Sequence, residues 1–309
     1  MPRPGTIARI SLISLGVLVL FVVALFLLEL SESGRTFVVR SYVRVERASE
    51  RYFPSSGGRA LVRRLEPLLF RLGVIGPVRV EIEPGVSLLL DPSDEVSRTT
   101  LISLTNSWEP EVWDAISSGL SEGAVFFDVG AYIGYDSLRA SVRVGPAGRV
   151  VAFEPNPTAL LVLRANIAAS RTSNVIVQPI ACTDTPQTLT LFDSTPSGNG
   201  GSSSLSRTNA GPSTRSYSVQ GRPIDDVAAE LGFKRLDVVK VDVEGAELLV
   251  VRGAAETLKR FHTKLILEVV PRQLANMGTS LEELEAFVRS LGYNSTRPVD
   301  YKNREWTVH

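Results

Sequence analysis

Val125-Phe-Phe-Asp-Val-Gly-Ala-Tyr-Ile-Gly134 joins a short apolar run to an acid and a glycine-bounded turn. Aromatic and β-branched residues favour a buried strand, and glycines favour a tight turn. The residues that follow, Tyr135 to Val144, fit a helix. A strand, a turn and a helix in this order open a βαβ unit of the kind that binds nucleotide-like ligands.

The spacing of the glycines distinguishes between ligands. A dinucleotide-binding turn has the pattern G-x-G-x-x-G, whose second glycine lets backbone N–H groups approach a pyrophosphate. Here Tyr132 and Ile133 separate Gly130 from Gly134, so the middle glycine is missing. The carboxylate of Asp128 would repel a pyrophosphate and attract a cation. S-adenosylmethionine carries a sulfonium and an ammonium group and no phosphate, so the turn favours this cofactor over NAD.

The chain on both sides of this turn alternates strand-like and helix-like segments. Strands are expected at Arg149–Phe153, Asn174–Ile180, Leu236–Val241 and Lys264–Leu267, and helices at Thr158–Ala169 and Ala246–Lys259. This alternation predicts an α/β fold with a doubly wound, mostly parallel sheet.

The remaining segments are shorter or more polar. We expect a hairpin over Val78–Leu90, helices over Val96–Leu104 and Glu111–Ser118, and a short strand over Thr188–Phe192. The stretch from Asp193 to Gly221 is rich in Ser and Gly, which predicts a loop that faces the substrate.

Four of the expected strands end in acids, which are Asp128, Glu154, Asp242 and Glu268. Because ligands of an open parallel sheet lie beyond the carboxyl ends of its strands, these acids are expected at one site. Glu154 follows the second strand and can accept hydrogen bonds from both hydroxyls of a ribose. If Val241–Glu244 stays extended, Asp242 and Glu244 point the same way, and Glu247 lies in the first turn of the next helix.

Composition restricts the chemistry. The 309 residues hold 33 Lys and Arg against 33 Asp and Glu, so the formal net charge is zero. The single cysteine, Cys182, permits no intramolecular disulfide. With only two histidines, a zinc site built from Cys and His is excluded.

The N-terminal part has a different character. Residues 10–28 are nineteen uncharged, mostly apolar residues, close to the roughly twenty that span a bilayer. We therefore predict a single transmembrane anchor within residues 1–34, with a cleaved signal peptide as the alternative. Residues 35–77 form a basic juxtamembrane connector, which by the positive-inside rule places the domain at 78–309 in the cytoplasm.

Several short motifs together resemble the FkbM family of S-adenosylmethionine-dependent methyltransferases. They are Asp128-Val-Gly-Ala-x-x-Gly134, Phe153-Glu-Pro-Asn156, Ser202-Ser-Ser-Leu205, Pro223-Ile-Asp-Asp226 and Lys240-Val-Asp-Val-Glu-Gly-Ala-Glu247. The resemblance covers roughly Thr105 to Val270. It implies a class I methyltransferase fold and O-methylation of a hydroxyl on a sugar, a lipid-linked glycan or a polyketide.

The resemblance also implies where the donor binds. The cofactor-binding residues expected from it are Glu109, Asp128, Gly130, Ala131, Gly134, Glu154, Asn156 and Asp242. Within this set, Glu154 holds the ribose, and Glu109 and Asp242 lie near the methionine end. Tyr132 departs from the family, which usually has asparagine there.

A hydroxyl acceptor is a weak nucleophile, so its methylation needs a base or a metal ion. The expected catalytic residues are the carboxylates Asp242, Glu244 and Glu247. They can act as a base or hold a divalent cation, and the sequence leaves this choice open. No residue is assigned as a metal ligand.

Two other functions stay open at this stage. An NAD-dependent epimerase or dehydrogenase would need a glycine in place of Tyr132 and a Tyr-x-x-x-Lys pair, which the sequence lacks. A membrane-anchored scaffold without turnover is the other, although the intact acids favour catalysis. The expected partners are a small-molecule or lipid-linked acceptor and the membrane, without nucleic acid. The sequence does not specify the acceptor or the oligomeric state.

Overall fold

The computed structural model of the chain describes residues 34, 36–44, 75–102, 108–170, 172–195, 199–212 and 215–308. The predicted membrane span at residues 10–28 and most of the basic connector lie outside this part. Within it, no helix has the length and apolarity needed to cross a membrane.

The chain divides into two compact units. One comprises Met1–Val80, Leu90–Ser93 and Ser97–Asn106, and the other comprises Glu81–Leu89, Asp94–Val96 and Ser107–His309. In the first unit, residues 36–44 are helical. The second unit contains the central sheet and all the residues assigned above to the site.

The described strands and helices, in chain order, are as follows. The strands are β1 (Val78–Glu83), β2 (Val86–Leu90), β3 (Val125–Val129), β4 (Arg149–Phe153), β5 (Val175–Gln178), β6 (Ala181–Cys182), β7 (Gln187–Asp193), β8 (Arg215–Arg222), β9 (Val238–Val241), β10 (Lys264–Glu268), β11 (Ser295–Pro298) and β12 (Asn303–Thr307). The helices are α1 (Glu95–Ile102), α2 (Pro110–Ser117), α3 (Tyr135–Val144), α4 (Pro157–Ala169), α5 (Arg207–Ala210), α6 (Ile224–Glu230), α7 (Glu247–Gly253), α8 (Ala255–Phe261), α9 (Pro271–Asn276) and α10 (Leu281–Ser290).

The central sheet has seven strands in the order β11-β12-β10-β9-β3-β4-β5. Strands β10, β9, β3, β4 and β5 are parallel, and β12 pairs antiparallel with both β10 and β11. All five residues of β3 are buried, as expected for a strand covered on both faces. The prediction of a class I methyltransferase fold with a mostly parallel sheet is confirmed.

The chain changes direction in the sheet at β3. From β3 it adds β4 and β5 on one side, and it then returns to place β9 and β10 on the other. Ligands of such sheets bind beyond the carboxyl ends of the strands at this switch point. A Cβ at Gly130, after β3, would lie 1.8 Å from the backbone oxygen of Asp242, after β9. Only glycine permits this contact between the two turns.

The predicted loop over Asp193–Gly221 is wrong in part, because its last section is strand β8. This strand pairs antiparallel with β7, from Gln187 opposite Gly221 to Asp193 opposite Arg215, and parallel with β6. Polar residues occupy its outward positions, and Val219 and Gly221 point inward and are buried. A strand buried on one face only has a low apolar content, which explains the error.

The single helix expected over Ala246–Lys259 is two helices, α7 and α8. They meet at Gly253 and Ala254, and Ala254 has non-helical backbone angles. A Cβ at Gly253 would lie 1.9 Å from the backbone oxygen of Thr183. Thr183 follows β6, so Gly253 sets the distance between α7 and the three-stranded sheet.

Helix α4 packs against the turn that follows β3. Leu163 is fully buried, and its Cδ1 would lie 2.6 Å from a Cβ added at Gly134. Leu161 is in the same helix and is 71% exposed. Comparing alanine substitutions at these two leucines separates the effect of lost burial on stability from the effect of helix propensity.

We predict that Leu163→Ala lowers the free energy of unfolding by about 2–5 kcal/mol, through lost burial and a residual cavity. Leu161→Ala is expected to change it by less than about 0.5 kcal/mol. Urea denaturation followed by circular dichroism measures both. Equal losses in the two variants would contradict the assigned packing.

Candidate active site

A cavity of about 280 Å³ lies beyond the carboxyl ends of the central strands. This volume is near the lower end of the roughly 300–1,000 Å³ typical of small-molecule sites. Its wall includes the turns after β3, β4 and β9, the segment 199–205, and Lys302. The predicted site residues that line it are Glu109, Gly130, Ala131, Glu154, Asp242 and Glu244.

Glu154 follows β4 and joins the turns on either side of it. Its Oε2 accepts the N–H of Tyr132 at 2.8 Å, and its Oε1 accepts the N–H of Asn156 at 2.7 Å. Each oxygen keeps a lone pair for a further donor. Burial raises the pKa of Glu154 to about 7, against the lowering effect of these N–H groups. A ligand hydroxyl would favour the ionised form further.

Asp128 lies beneath the cavity wall and does not end its strand. It is inside β3, 1% exposed, with Ala152 and Lys240 beside it in the neighbouring strands. Its Oδ2 accepts the hydroxyl of Ser137 at 2.5 Å, and its Oδ1 has no hydrogen-bond partner. Burial raises the pKa of Asp128 to about 6 despite the charge of Lys240.

Lys240 connects Asp128 to the cavity. Its Nζ lies 3.3 Å from Oδ2 of Asp136 and 3.4 Å from Oδ2 of Asp242. Burial alone would lower the pKa of Lys240, but the surrounding carboxylates raise it well above its usual value. The lysine in turn lowers the pKa of Asp242, which outweighs the burial of that group. Both side chains are therefore charged at neutral pH.

The sequence allowed an extended chain over Val241–Glu244, and the structure differs from this. The strand ends at Val241, and Glu244 takes a left-handed conformation with φ of 55°. The carboxylate of Glu244 accepts a hydrogen bond from the side chain of Gln273. Burial raises the pKa of Glu244 to about 8, and Asp242 adds to the shift. Despite the turn, Glu244 and Asp242 both face the cavity.

Glu247 begins α7, as expected, but does not line the cavity. Its Oε1 accepts the N–H groups of Gly245 at 3.0 Å and Val243 at 3.4 Å, so the carboxylate closes the turn before the helix. Burial raises the pKa of Glu247 to about 7. This position suits a group that supports the turn carrying Glu244.

Gly134 and Asn156 also lie outside the cavity wall. Gly134 begins α3 with φ of 91°. Asn156 caps α4, with its Oδ1 accepting the N–H of Thr158 at 2.9 Å. Its Nδ2 donates to Ser203 at 3.0 Å, which links the cap to the cavity segment 199–205.

Glu268, at the end of β10, belongs to a second charged group with Glu109 and Lys302. Lys302 Nζ contacts Oε1 of Glu268 and lies 2.9 Å from Oε1 of Glu109. Burial raises the pKa of Glu109 and raises that of Glu268 to about 10. Lys302 could not be identified from the sequence, because this lysine follows a polar C-terminal segment that carries no recognisable motif.

Tyr132, the departure from the family pattern, connects two parts of the cavity wall. Its backbone is left-handed with φ of 49°, and its hydroxyl donates to Oδ1 of Asp94 at 2.7 Å. The same Asp94 oxygen accepts the N–H of Gly200 at 3.2 Å. A Cβ at Gly200 would lie 2.6 Å from the Tyr132 hydroxyl. These contacts hold the segment 199–201 against the turn after β3.

Gly130 offers a direct test of the contact between the two turns. We predict that Gly130→Ala destabilises the fold by about 1–3 kcal/mol more than Gly278→Ala, because its methyl group meets the Asp242 backbone. Gly278 has a similar φ of +77° with nothing within 4 Å, so it carries the left-handed penalty alone. Urea denaturation of both variants is the measurement, and equal stabilities would contradict the contact.

The sequence matches the family described as Methyltransferase FkbM domain over residues 128–295, more than half of the chain. Methyltransferase sdnD of Sordaria araneosa is 29% identical over 210 residues, which cover 58% of this chain and 77% of that protein.

Two solved structures align with lower similarity. Methyltransferase FkbM of Methylobacillus flagellatus is 20% identical, covering 81% of this chain and 60% of that chain, with a TM-score of 0.42. This chain thus spans about three fifths of that relative's length. A SAM-dependent O-methyltransferase of Thermotoga maritima is 14% identical, covering 65% of each chain, with a TM-score of 0.38. Because the family match runs from Asp128 through the acidic turn after β9 to Ser295, the chain belongs to the FkbM family of methyltransferases.

Proposed function

We propose that this methyltransferase uses S-adenosylmethionine to methylate a hydroxyl group of a sugar, a lipid-linked glycan or a polyketide-type acceptor. The observation that carries the cofactor assignment is the charge of the cavity. Six carboxylate residues and two lysines line it: Glu95, Glu109, Asp136, Glu154, Asp242 and Glu244, with Lys240 and Lys302. Both lysines are paired with carboxylates.

A negatively charged cavity favours a cationic ligand and disfavours a pyrophosphate. This supports a sulfonium cofactor over NAD, in agreement with the glycine spacing. Glu154 is placed to accept the ribose hydroxyls with its remaining lone pairs. Gly130 and Ala131 expose backbone to the cavity, and Asp242 and Glu109 supply negative charge for an ammonium group.

Bound S-adenosylmethionine supplies a methyl group to the acceptor oxygen, while the S–C electron pair stays on sulfur and the hydroxyl proton has to be removed. The cavity residues align the reactants and exclude water, which supplies much of the rate enhancement in such displacements. Asp242 and Glu244 are the carboxylates placed to assist removal of the proton. Glu247 is proposed to act on the reaction by holding the turn that carries Glu244.

Calorimetric titration of the full-length protein tests the cofactor. We expect binding of S-adenosylmethionine and none of NAD. At pH 8, where Glu154 is largely ionised, Glu154→Ala should weaken binding roughly 10- to 100-fold, since hydrogen bonds to a charged group contribute about 1.5–3 kcal/mol.

Glu256→Ala is the matched control, because Glu256 is an exposed glutamate whose carboxylate pairs with Lys259. It should bind the cofactor as the unaltered protein does. Binding of NAD instead, or of neither compound, would contradict the proposed function. Unchanged affinity in Glu154→Ala would overturn the ribose assignment alone.

We also propose that residues 1–34 retain the protein in a membrane with the catalytic domain in the cytoplasm. The apolar run at 10–28 and the arginines that follow it support this topology. An acceptor at or near the membrane follows naturally from it. A reporter fused after His309 should then report a cytoplasmic location in cells, and an exported signal would contradict the proposal.

A further inference from the structure

Three carboxylates converge beside the cavity, and two of them, Asp242 and Glu244, line it. Oxygens from Asp242, Glu244 and Glu268 lie within 4.8 Å of one another. Oxygen ligands around Mg²⁺, at 2.0–2.1 Å from the ion, are separated by at most about 4.2 Å, and around Ca²⁺ by about 5 Å. The spacing therefore suits ligands of one divalent cation after small side-chain movements.

Glu268 provides a separate indication. Its side chain is 3% exposed, and its Oε2 has no hydrogen-bond partner. One of its carboxylate oxygens lies within 4.8 Å of an Asp242 oxygen. Ionised carboxylates this close repel one another, and a cation between them removes the repulsion. A buried carboxylate oxygen without a partner, on a residue beside two other carboxylates, marks a place for a ligand.

The two lysines of the cavity do not neutralise this cluster. Lys302 contacts Glu268 through its other oxygen, Oε1, and shares its charge with Glu109. Lys240 shares its charge between Asp242 and Asp136. The carboxylate of Glu244 is held by a neutral group, the side chain of Gln273.

We propose that Asp242, Glu244 and Glu268 bind one divalent cation of the hard, oxygen-preferring class, such as Mg²⁺ or Mn²⁺. The proposal rests on the proposed methyltransferase function and assigns the means of proton removal. Three carboxylates leave coordination positions open toward the cavity. An acceptor hydroxyl bound there has a lowered pKa, and its proton leaves to solvent water. Glu244 then acts as a ligand.

The test is a titration of the full-length protein, stripped of metal with EDTA and dialysed, with Mn²⁺ followed by electron paramagnetic resonance. We expect one bound Mn²⁺ per chain, displaced by Mg²⁺. Calorimetry at pH 7 in buffers of different ionisation enthalpy should show proton release, because carboxylates bind a metal ion in their deprotonated form.

Three variants locate the site. Glu268→Gln and Glu244→Gln should each weaken Mn²⁺ binding by more than the roughly tenfold loss typical of outer-shell changes. Glu256→Gln, at an exposed glutamate, should bind Mn²⁺ normally. Thermal unfolding checks that each variant folds. If Glu268→Gln does not fold, the binding stoichiometry of the unaltered protein and Glu244→Gln still decide.

The outcomes separate this proposal from the proposed function. No Mn²⁺ binding tighter than about 1 mM would overturn the cation site, and cofactor binding in the same EDTA-treated sample would leave the methyltransferase proposal intact. Undiminished Mn²⁺ binding in both glutamine variants would also overturn it. If saturating S-adenosylmethionine expels Mn²⁺, the cluster receives the ammonium group of the cofactor, and the proposed cation is excluded. Simultaneous binding of Mn²⁺ and S-adenosylmethionine would support it.

Discussion

The site depends on a contact that leaves no room for a side chain. The turn after β3 and the turn after β9 meet where Gly130 faces the backbone oxygen of Asp242. This contact brings the backbone of the first turn and the carboxylates of the second into one cavity. It also explains why the site forms at this position, since β3 and β9 are neighbours only because the chain reverses its direction of strand addition there.

Charge is the second constraint on the cavity. The carboxylates in and around it come from several separate elements, and a specific partner stabilises most of them. Backbone N–H groups serve Glu154 and Glu247, and lysines serve Asp242 and Glu109. The exceptions are the orphaned oxygens of Asp128, Glu247 and Glu268. Buried charge of this kind costs stability and is retained where function requires it.

Strands β3, β4, β9 and β10 of the central sheet could be predicted from the sequence because nearly all of their residues are buried, whereas the exposed strand β11 escaped prediction. Uninterrupted apolar runs such as Val150–Phe153 need no tertiary information to recognise. Strand β8 was not predicted because one of its faces is polar. The break between α7 and α8 at Gly253 was not predicted because it depends on a contact with Thr183, which is distant in sequence. Similarly, the acids of the site were foreseeable from strand ends. Lys302 and the roles of Glu247 and Asn156 were not, since they depend on which side chains the fold brings together.

Gly253 fixes the three-stranded sheet β6-β8-β7 by a backbone contact with Thr183, independently of the residues between β7 and β8. Those residues include 199–205, which form part of the cavity wall. The position of the wall is thus set by the three-stranded sheet. Its side chains come from a segment that is anchored at its two ends by β7 and β8. Substitutions in this segment therefore alter the lining of the cavity, while the packing of α7 against the three-stranded sheet stays in place.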